Sequence, residues 1–299
     1  MGHMMQTLNG TDPRMVARMR PLLAPAVVLL LLWMIVPLAL TLWFSVQRYN
    51  LLAPGTGGFV GLANYAFLFT DPGLINALLK TVLLVGGVLV ATVVFGVAFA
   101  VALDQHFPGH GIARLLCIAP FFVMPTVSAL VWKNLLMHPV NGLFAYISRS
   151  LGLPVVDWFA TLPLFSIGII VAWQWIPFAT LILLTSLQSL DREQMEAARM
   201  DSARGFSLFR FIILPHLYRA ITIVVMIETI FLLSVFAEIL VTTAGGPGSA
   251  STTLPFLIYK TALLDFDVGG ASAGGVLAII LANVVAFFLV RTISHNLDR

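Results

Sequence analysis

Long charge-free runs alternate along the chain with short polar stretches. The runs cover residues 21–47, 81–103, 115–132, 162–187, 218–241 and 268–290. A hydrocarbon core of about 30 Å, crossed at about 1.5 Å per residue, needs about 20 apolar residues in a helix. The pattern therefore predicts six transmembrane helices in an all-α, polytopic membrane bundle. The third run is short and holds Pro120 and Pro125; the fifth is interrupted by Glu228 and Glu238. The first run is too long for the apolar part of a signal peptide, and no small-residue cleavage site follows it.

Composition agrees with this pattern. Of 299 residues, 60% are apolar and 10% charged, against about 45–50% and about 25% in soluble domains. A soluble enzyme, a disordered chain and a secreted disulfide scaffold are excluded, the last because Cys117 is the single cysteine. Sixteen Lys and Arg make no basic stripe, so nucleic acid is not an expected partner; the lipid bilayer is. With six spans both termini share one side. Eleven basic residues, from Arg14 to Arg299, then lie with the termini, and five (Arg48, Lys80, Lys133, Arg149 and Lys260) lie opposite. Positive residues favour the inner side, which predicts cytoplasmic termini and a cytoplasmic segment over residues 1–20. Trp43, Trp132 and Trp158 fall near the outer interface.

In the sixth run Gly270, Gly274, Ala278, Ala282 and Ala286 repeat every fourth position. They form a small-residue stripe on one face, read either as static packing or as a seam that slides during transport. Gly270-Ala271-Ser272-Ala273-Gly274 matches the pattern of a serine nucleophile. No histidine lies at depth in a predicted span to serve as its base, so a hydrolase is disfavoured. The chain contains no phosphate-binding loop, no paired-Cys metal motif and no dinucleotide fingerprint. It predicts no catalytic residue, no metal and no cofactor of its own.

Nine of the 29 charged residues fall between Asp191 and Arg219, in the predicted cytoplasmic loop between the fourth and fifth spans. Asp191 and Gln194 resemble a capping box, so a short helix is expected there. Gly205 permits a turn, and Leu214-Pro215 leads into the next span. Physical reading alone leaves an ordinary amphipathic loop and a stiff docking protrusion both open.

Glu196-Ala197-Ala198, followed by Ile212-x-Leu214-Pro215, resembles the EAA loop of ABC importer permeases. Ser202 follows Asp201 where that family usually has Gly. Thr242-Thr243-Ala244-Gly245-Gly246-Pro247-Gly248 resembles the outer loop of the carbohydrate branch of that family. The stretch Asp265-Phe266-Asp267-Val268-Gly269-Gly270-Ala271-Ser272-Ala273, with Arg291, resembles permeases for sugar alcohols such as sorbitol or mannitol. The resemblance implies a permease domain over residues 21–295 with a coupling loop at 188–215. It implies docking on an ATPase subunit through Glu196, Ala197, Ala198, Asp201, Ser202, Gly205, Leu214 and Pro215. The implied partners are a second related permease, two ATP-binding-cassette subunits, an external solute-binding protein and a sugar or polyol solute. Permeases of the same family for other solutes, such as amino acids, remain an alternative.

A hydroxyl moved into hydrocarbon without a partner costs several kcal/mol, so a polyol pathway needs polar groups and apolar surfaces at mid-depth. Trp173-Gln174-Trp175 lies mid-way along the fourth span, ahead of Pro177 and Phe178. Gln174 is read either as a solute ligand or as a bond between helices. Glu228 lies mid-way along the fifth, with Phe231, Leu232 and Val235 at helical spacing. The expected substrate-binding set is Glu228, Phe231, Leu232, Val235, Gln174, Trp175 and Phe178. Two alternatives remain for Glu228: a bond to a neighbouring helix, or the proton site of a stand-alone secondary transporter. The latter would favour inverted repeats, which the sequence does not show.

Overall fold

The computed structural model describes residues 13–53, 55, 57–191, 194, 196, 200 and 205–297. Helix α1 (Pro13–Ser45) is followed by a two-residue hairpin of β1 (Gln47–Arg48) and β2 (Gly58–Phe59), paired antiparallel with Gln47 opposite Phe59. Helices α2 (Ala63–Thr70) and α3 (Pro72–Leu103) come next. The third span is α4 (His110–Ile118) and a 3-10 turn (Ala119–Phe122), then α5 (Pro125–Val131) and a π turn (Trp132–Leu136). Helices α6 (Leu143–Ser150) and α7 (Trp158–Thr161) lead to α8 (Pro163–Gln188). The fifth span is a short α9 (Phe206–Leu208), a π turn (Phe209–Ile213) and α10 (Leu214–Leu232). Helices α11 (Ala237–Thr242), α12 (Leu254–Leu263) and α13 (Val268–Leu297) complete the chain.

Among the described residues five helices are long and apolar enough to cross a membrane, and six when a bent pair counts as one span. The all-α polytopic bundle is therefore observed, with three corrections. The second span begins at Pro72 instead of residue 81, because Asp71 caps it by accepting from Gly73 N at 2.8 Å and Pro72 supplies a fixed φ at the first turn. The third span is not one helix. His110–Phe122 and Pro125–Leu136 meet at 107°, because Pro125 lacks an N–H and holds Met124 extended at ψ 138. The fifth span starts at Phe206 and ends at Leu232, so Val235 lies in the break before α11 and not on the helical face of Glu228.

The core sits where α3 packs most extensively on α8. Gly96 makes this approach possible: a Cβ there would lie 2.8 Å from Ala179 Cβ. Towards the end where α8 finishes, Val97, Ala100, Leu183, Leu187, Leu217 and Val224 form one cluster. Towards the other end, Val85, Val88, Val171, Leu232, Ile239 and Phe256 form a second. The small-residue stripe of α13 meets α12: a Cβ on Gly274 would sit 3.1 Å from Ile258 Cγ1. Helix α1 packs on α13, yet every side chain from residue 24 to 40 is exposed. Its end is also tied down by hydrogen bonds, with Asn64 donating to the Ser45 and Gln47 carbonyls and Tyr65 donating to Ser45 Oγ at 2.8 Å.

Candidate functional site

The two mid-helix tryptophans of α8 face opposite ways, as a separation of two residues on a helix requires. Trp173 packs edge-on against Trp132 at 5.8 Å, in a cluster with Phe144 and Trp158. Trp175 turns to the other side. There it lies 5.9 Å from Phe121, 5.8 Å from Phe178 and 5.3 Å from Phe231, while Phe121 stacks on Phe178 at 5.8 Å. Phe122 and Phe231 are exposed and extend this wall. Three of its rings, Trp175, Phe178 and Phe231, belong to the expected substrate set. Phe121 and Phe122 were missed; the signal was the flanking Pro120 and Pro125, which break the helix where Phe121 meets Trp175 and Phe178 of α8.

Gln174 is buried and serves the same break. Its Nε2 donates to the Val123 carbonyl at 2.9 Å, while its Oε1 is buried with no partner among the described residues. The bond links α8 to the extended segment where the third span bends.

Glu228 and Phe231 are separated in environment although three residues apart. Phe231 is 55% exposed, whereas Glu228 is 0% exposed. Glu228 Oε2 accepts from Thr92 Oγ1 of α3 at 2.6 Å, and its Oε1 is buried without a partner among the described residues. Leu232 and Val235 are buried in the apolar cluster with Val85 and Val88. The expected substrate set thus divides. Trp175, Phe178 and Phe231 make a wall, and Gln174, Glu228, Leu232 and Val235 lie behind it.

A separate groove of about 1190 Å³ runs between α3 and α8 on the other side. Gly87, Ala91, Phe95, Gly168, Ala172 and Ile176 line it, together with Trp173. Its walls are almost wholly apolar and offer little to a hydroxylated solute.

Of the expected coupling residues, Ala197, Ala198, Asp201 and Ser202 lie outside the described residues. Glu196 is helical and exposed. Gly205 is exposed at φ +54, a backbone conformation that glycine enters freely. Leu214 and Pro215 open α10, with Leu214 half-buried and Pro215 exposed. One residue on, His216 Nε2 lies 2.8 Å from the Ser186 carbonyl, which ties the start of α10 to the end of α8. Both ends of the loop therefore rest on the core. Ser272 has no hydrogen bond to a histidine among the described residues, and His110, His138 and His216 bond elsewhere.

A bundle of broken and continuous apolar helices, with an aromatic wall on one side of its core, has the build of an integral-membrane protein. Residues 15–299 match the family of binding-protein-dependent transport system inner membrane components, and the chain belongs to that family. It is 36% identical over 251 residues to a probable ABC transporter permease protein, y4oQ, of Sinorhizobium fredii, covering 83% of this chain and 81% of the relative. It is 32% identical over 272 residues to the trehalose/maltose transport system permease protein MalF of Thermococcus litoralis, covering 90% of each. The fold matches a chain of a bacterial alginate ABC transporter at a TM-score of 0.79 and 19% identity, over 93% of this chain and 94% of that one. The chain is thus an inner-membrane permease subunit of an ABC importer, and ATP hydrolysis in such a system belongs to a separate subunit.

Proposed function

We propose that the chain forms one half of the translocation pathway for a sugar or sugar alcohol, of the sorbitol or mannitol type, and that the aromatic wall contacts the solute. The observation that carries this reading is the convergence of Phe121, Trp175, Phe178 and Phe231 on one side of the core. Aromatic faces pack on the C–H surfaces of a carbohydrate without demanding a charge. The break after α10 and the proline inside α8 supply polar groups beside them. Ser234, in the break after α10, is exposed, and Pro177 cannot donate to the Trp173 carbonyl. A relative named as a trehalose/maltose permease supports the sugar reading, while another, 28% identical, is named for sn-glycerol-3-phosphate, a charged polyol ester.

In this reading residues 21–295 form the permease domain and both termini are cytoplasmic. A second related permease closes the pathway, and an external binding protein delivers the solute. Two ATP-binding-cassette subunits receive the loop at 188–215 through Glu196, Ala197, Ala198, Asp201, Ser202, Gly205, Leu214 and Pro215. The Glu196 carboxylate offers a charge to the ATPase, and the two alanines keep the docking face slim. The test is uptake of a panel of sugars and sugar alcohols by complexes carrying Phe231→Ala or Trp175→Ala. Assembly at the wild-type level with an altered order of preference supports the reading. Unchanged preference in both variants contradicts it.

A further inference from the structure

We infer that Thr92 and Glu228 are a positioning pair that sets the spacing of the aromatic wall, and so the solute preference, without touching the solute. The inference rests on the reading that the wall faces the solute. Both residues are 0% exposed. The Thr92 hydroxyl donates to Glu228 Oε2 at 2.6 Å. That bond joins α3 to α10 at a depth where water cannot replace it.

The geometry gives the bond leverage. Thr92 and Gly96 are four residues apart, on one face of α3. Through Gly96 that face nests α8 at Ala179, one helical turn from Trp175. Through Thr92 it holds α10 at Glu228, three residues from Phe231. Trp175 and Phe231, the two rings that meet at 5.3 Å, therefore hang from helices whose separation and register are both set by one face of α3. Glu228 Oε1 has no partner among the described residues, so the carboxylate's one hydrogen bond there is the bond to Thr92. Removing the Thr92 hydroxyl leaves both oxygens without a donor. The carboxylate must then turn towards a new one, and α10 with it.

The experiment uses the assembled importer in proteoliposomes and reads half-saturating concentrations for two competing sugars or sugar alcohols. Thr92→Ser and Glu228→Gln keep a donor and an acceptor, and should retain the wild-type order of preference. Thr92→Val removes the donor at nearly constant shape. It should change the ratio of the two half-saturating concentrations by about threefold or more, in the range seen for residues acting at a distance. The double variant Thr92→Val with Glu228→Met covers the case in which Thr92→Val does not assemble, because replacing both partners removes the orphaned carboxylate. An assembled double variant with a shifted preference supports positioning. An assembled double variant with the wild-type preference overturns it, since the pair would then only stabilise the bundle. Phe231→Ala runs alongside. If it shifts preference and Thr92→Val does not, the positioning pair fails and the wall stands. If Phe231→Ala changes nothing, the wall itself fails and the pair with it.

Discussion

Replacing Gly96 with alanine adds one methyl group at the point where α3 and α8 come closest. The new Cβ would lie 2.8 Å from Ala179 Cβ, 3.3 Å from Leu183 Cδ1 and 3.4 Å from the Ala179 carbonyl carbon. Carbon atoms rest at about 3.5–4.0 Å, so the helices must separate locally by about 1 Å. Overpacking of this kind costs about 1–3 kcal/mol, and the better helix propensity of alanine offsets at most about 1 kcal/mol of that. The expected net loss is about 1–2 kcal/mol. It should appear as a lower melting temperature of the purified protein in detergent. Ala179→Gly in the same chain removes the opposing methyl and, after its own helix-propensity cost of about 1 kcal/mol, should restore part of the loss. The two changes should therefore be non-additive by about 1 kcal/mol or more. The larger Gly96→Leu should prevent assembly. A Gly96→Ala protein that melts with the wild type, with no recovery from Ala179→Gly, would refute the claim that this contact sets the core.

Two further outcomes are expected. Glu196→Lys should leave the importer assembled but separate ATP hydrolysis from uptake, measured together in one proteoliposome preparation; normal uptake with normal solute-stimulated hydrolysis would remove the coupling role. Gln174→Leu strips the Val123 carbonyl of its donor, a loss of about 1–3 kcal/mol when the acceptor stays unpaired. It should loosen the bend, seen as faster labelling of a cysteine at Met124, while Gln174→Glu, which keeps no donor when ionised, should resemble it.

The spans that carry the site were legible where hydropathy alone decides. The run at 162–187 differs by one residue at each end from α8 (Pro163–Gln188). Burial on both sides of α8 explains why the pattern is so even: Ser166, Gln174 and Thr180 are its buried polar residues, each with a hydrogen bond. The start of α3 was missed because Asn76 and Lys80 dilute its first turns, although Asp71-Pro72 is a readable start signal. The break after Leu232 carries no proline or glycine. It arises from tertiary packing, with Phe236 lying against Phe256 and Tyr259 at 6.3 and 4.7 Å. Helix α12 (Leu254–Leu263) is too short to register as a span.

Within the site, type was more legible than direction. The sequence singled out Gln174, Trp175, Phe178, Glu228 and Phe231 as unusual at mid-depth. Helical spacing then grouped Glu228 with Phe231, Leu232 and Val235. The structure turns Glu228 and Leu232 into the core and Phe231 outward, because α3 and α8 cover one side of α10 while Phe231 stays exposed. No single-chain periodicity contains the position of α3, so the role of Thr92 had no signal in the sequence.

The central claim is that the chain passes a polyhydroxy solute under power supplied by a partner. The most direct measurement is ATP hydrolysis by the complete importer, reconstituted in nanodiscs with its ATPase and binding protein, as single solutes are added. A sugar or sugar alcohol should raise hydrolysis above the basal rate while amino acids and peptides leave it unchanged. Stimulation by an amino acid or a peptide, with none by any sugar or sugar alcohol, would contradict the account.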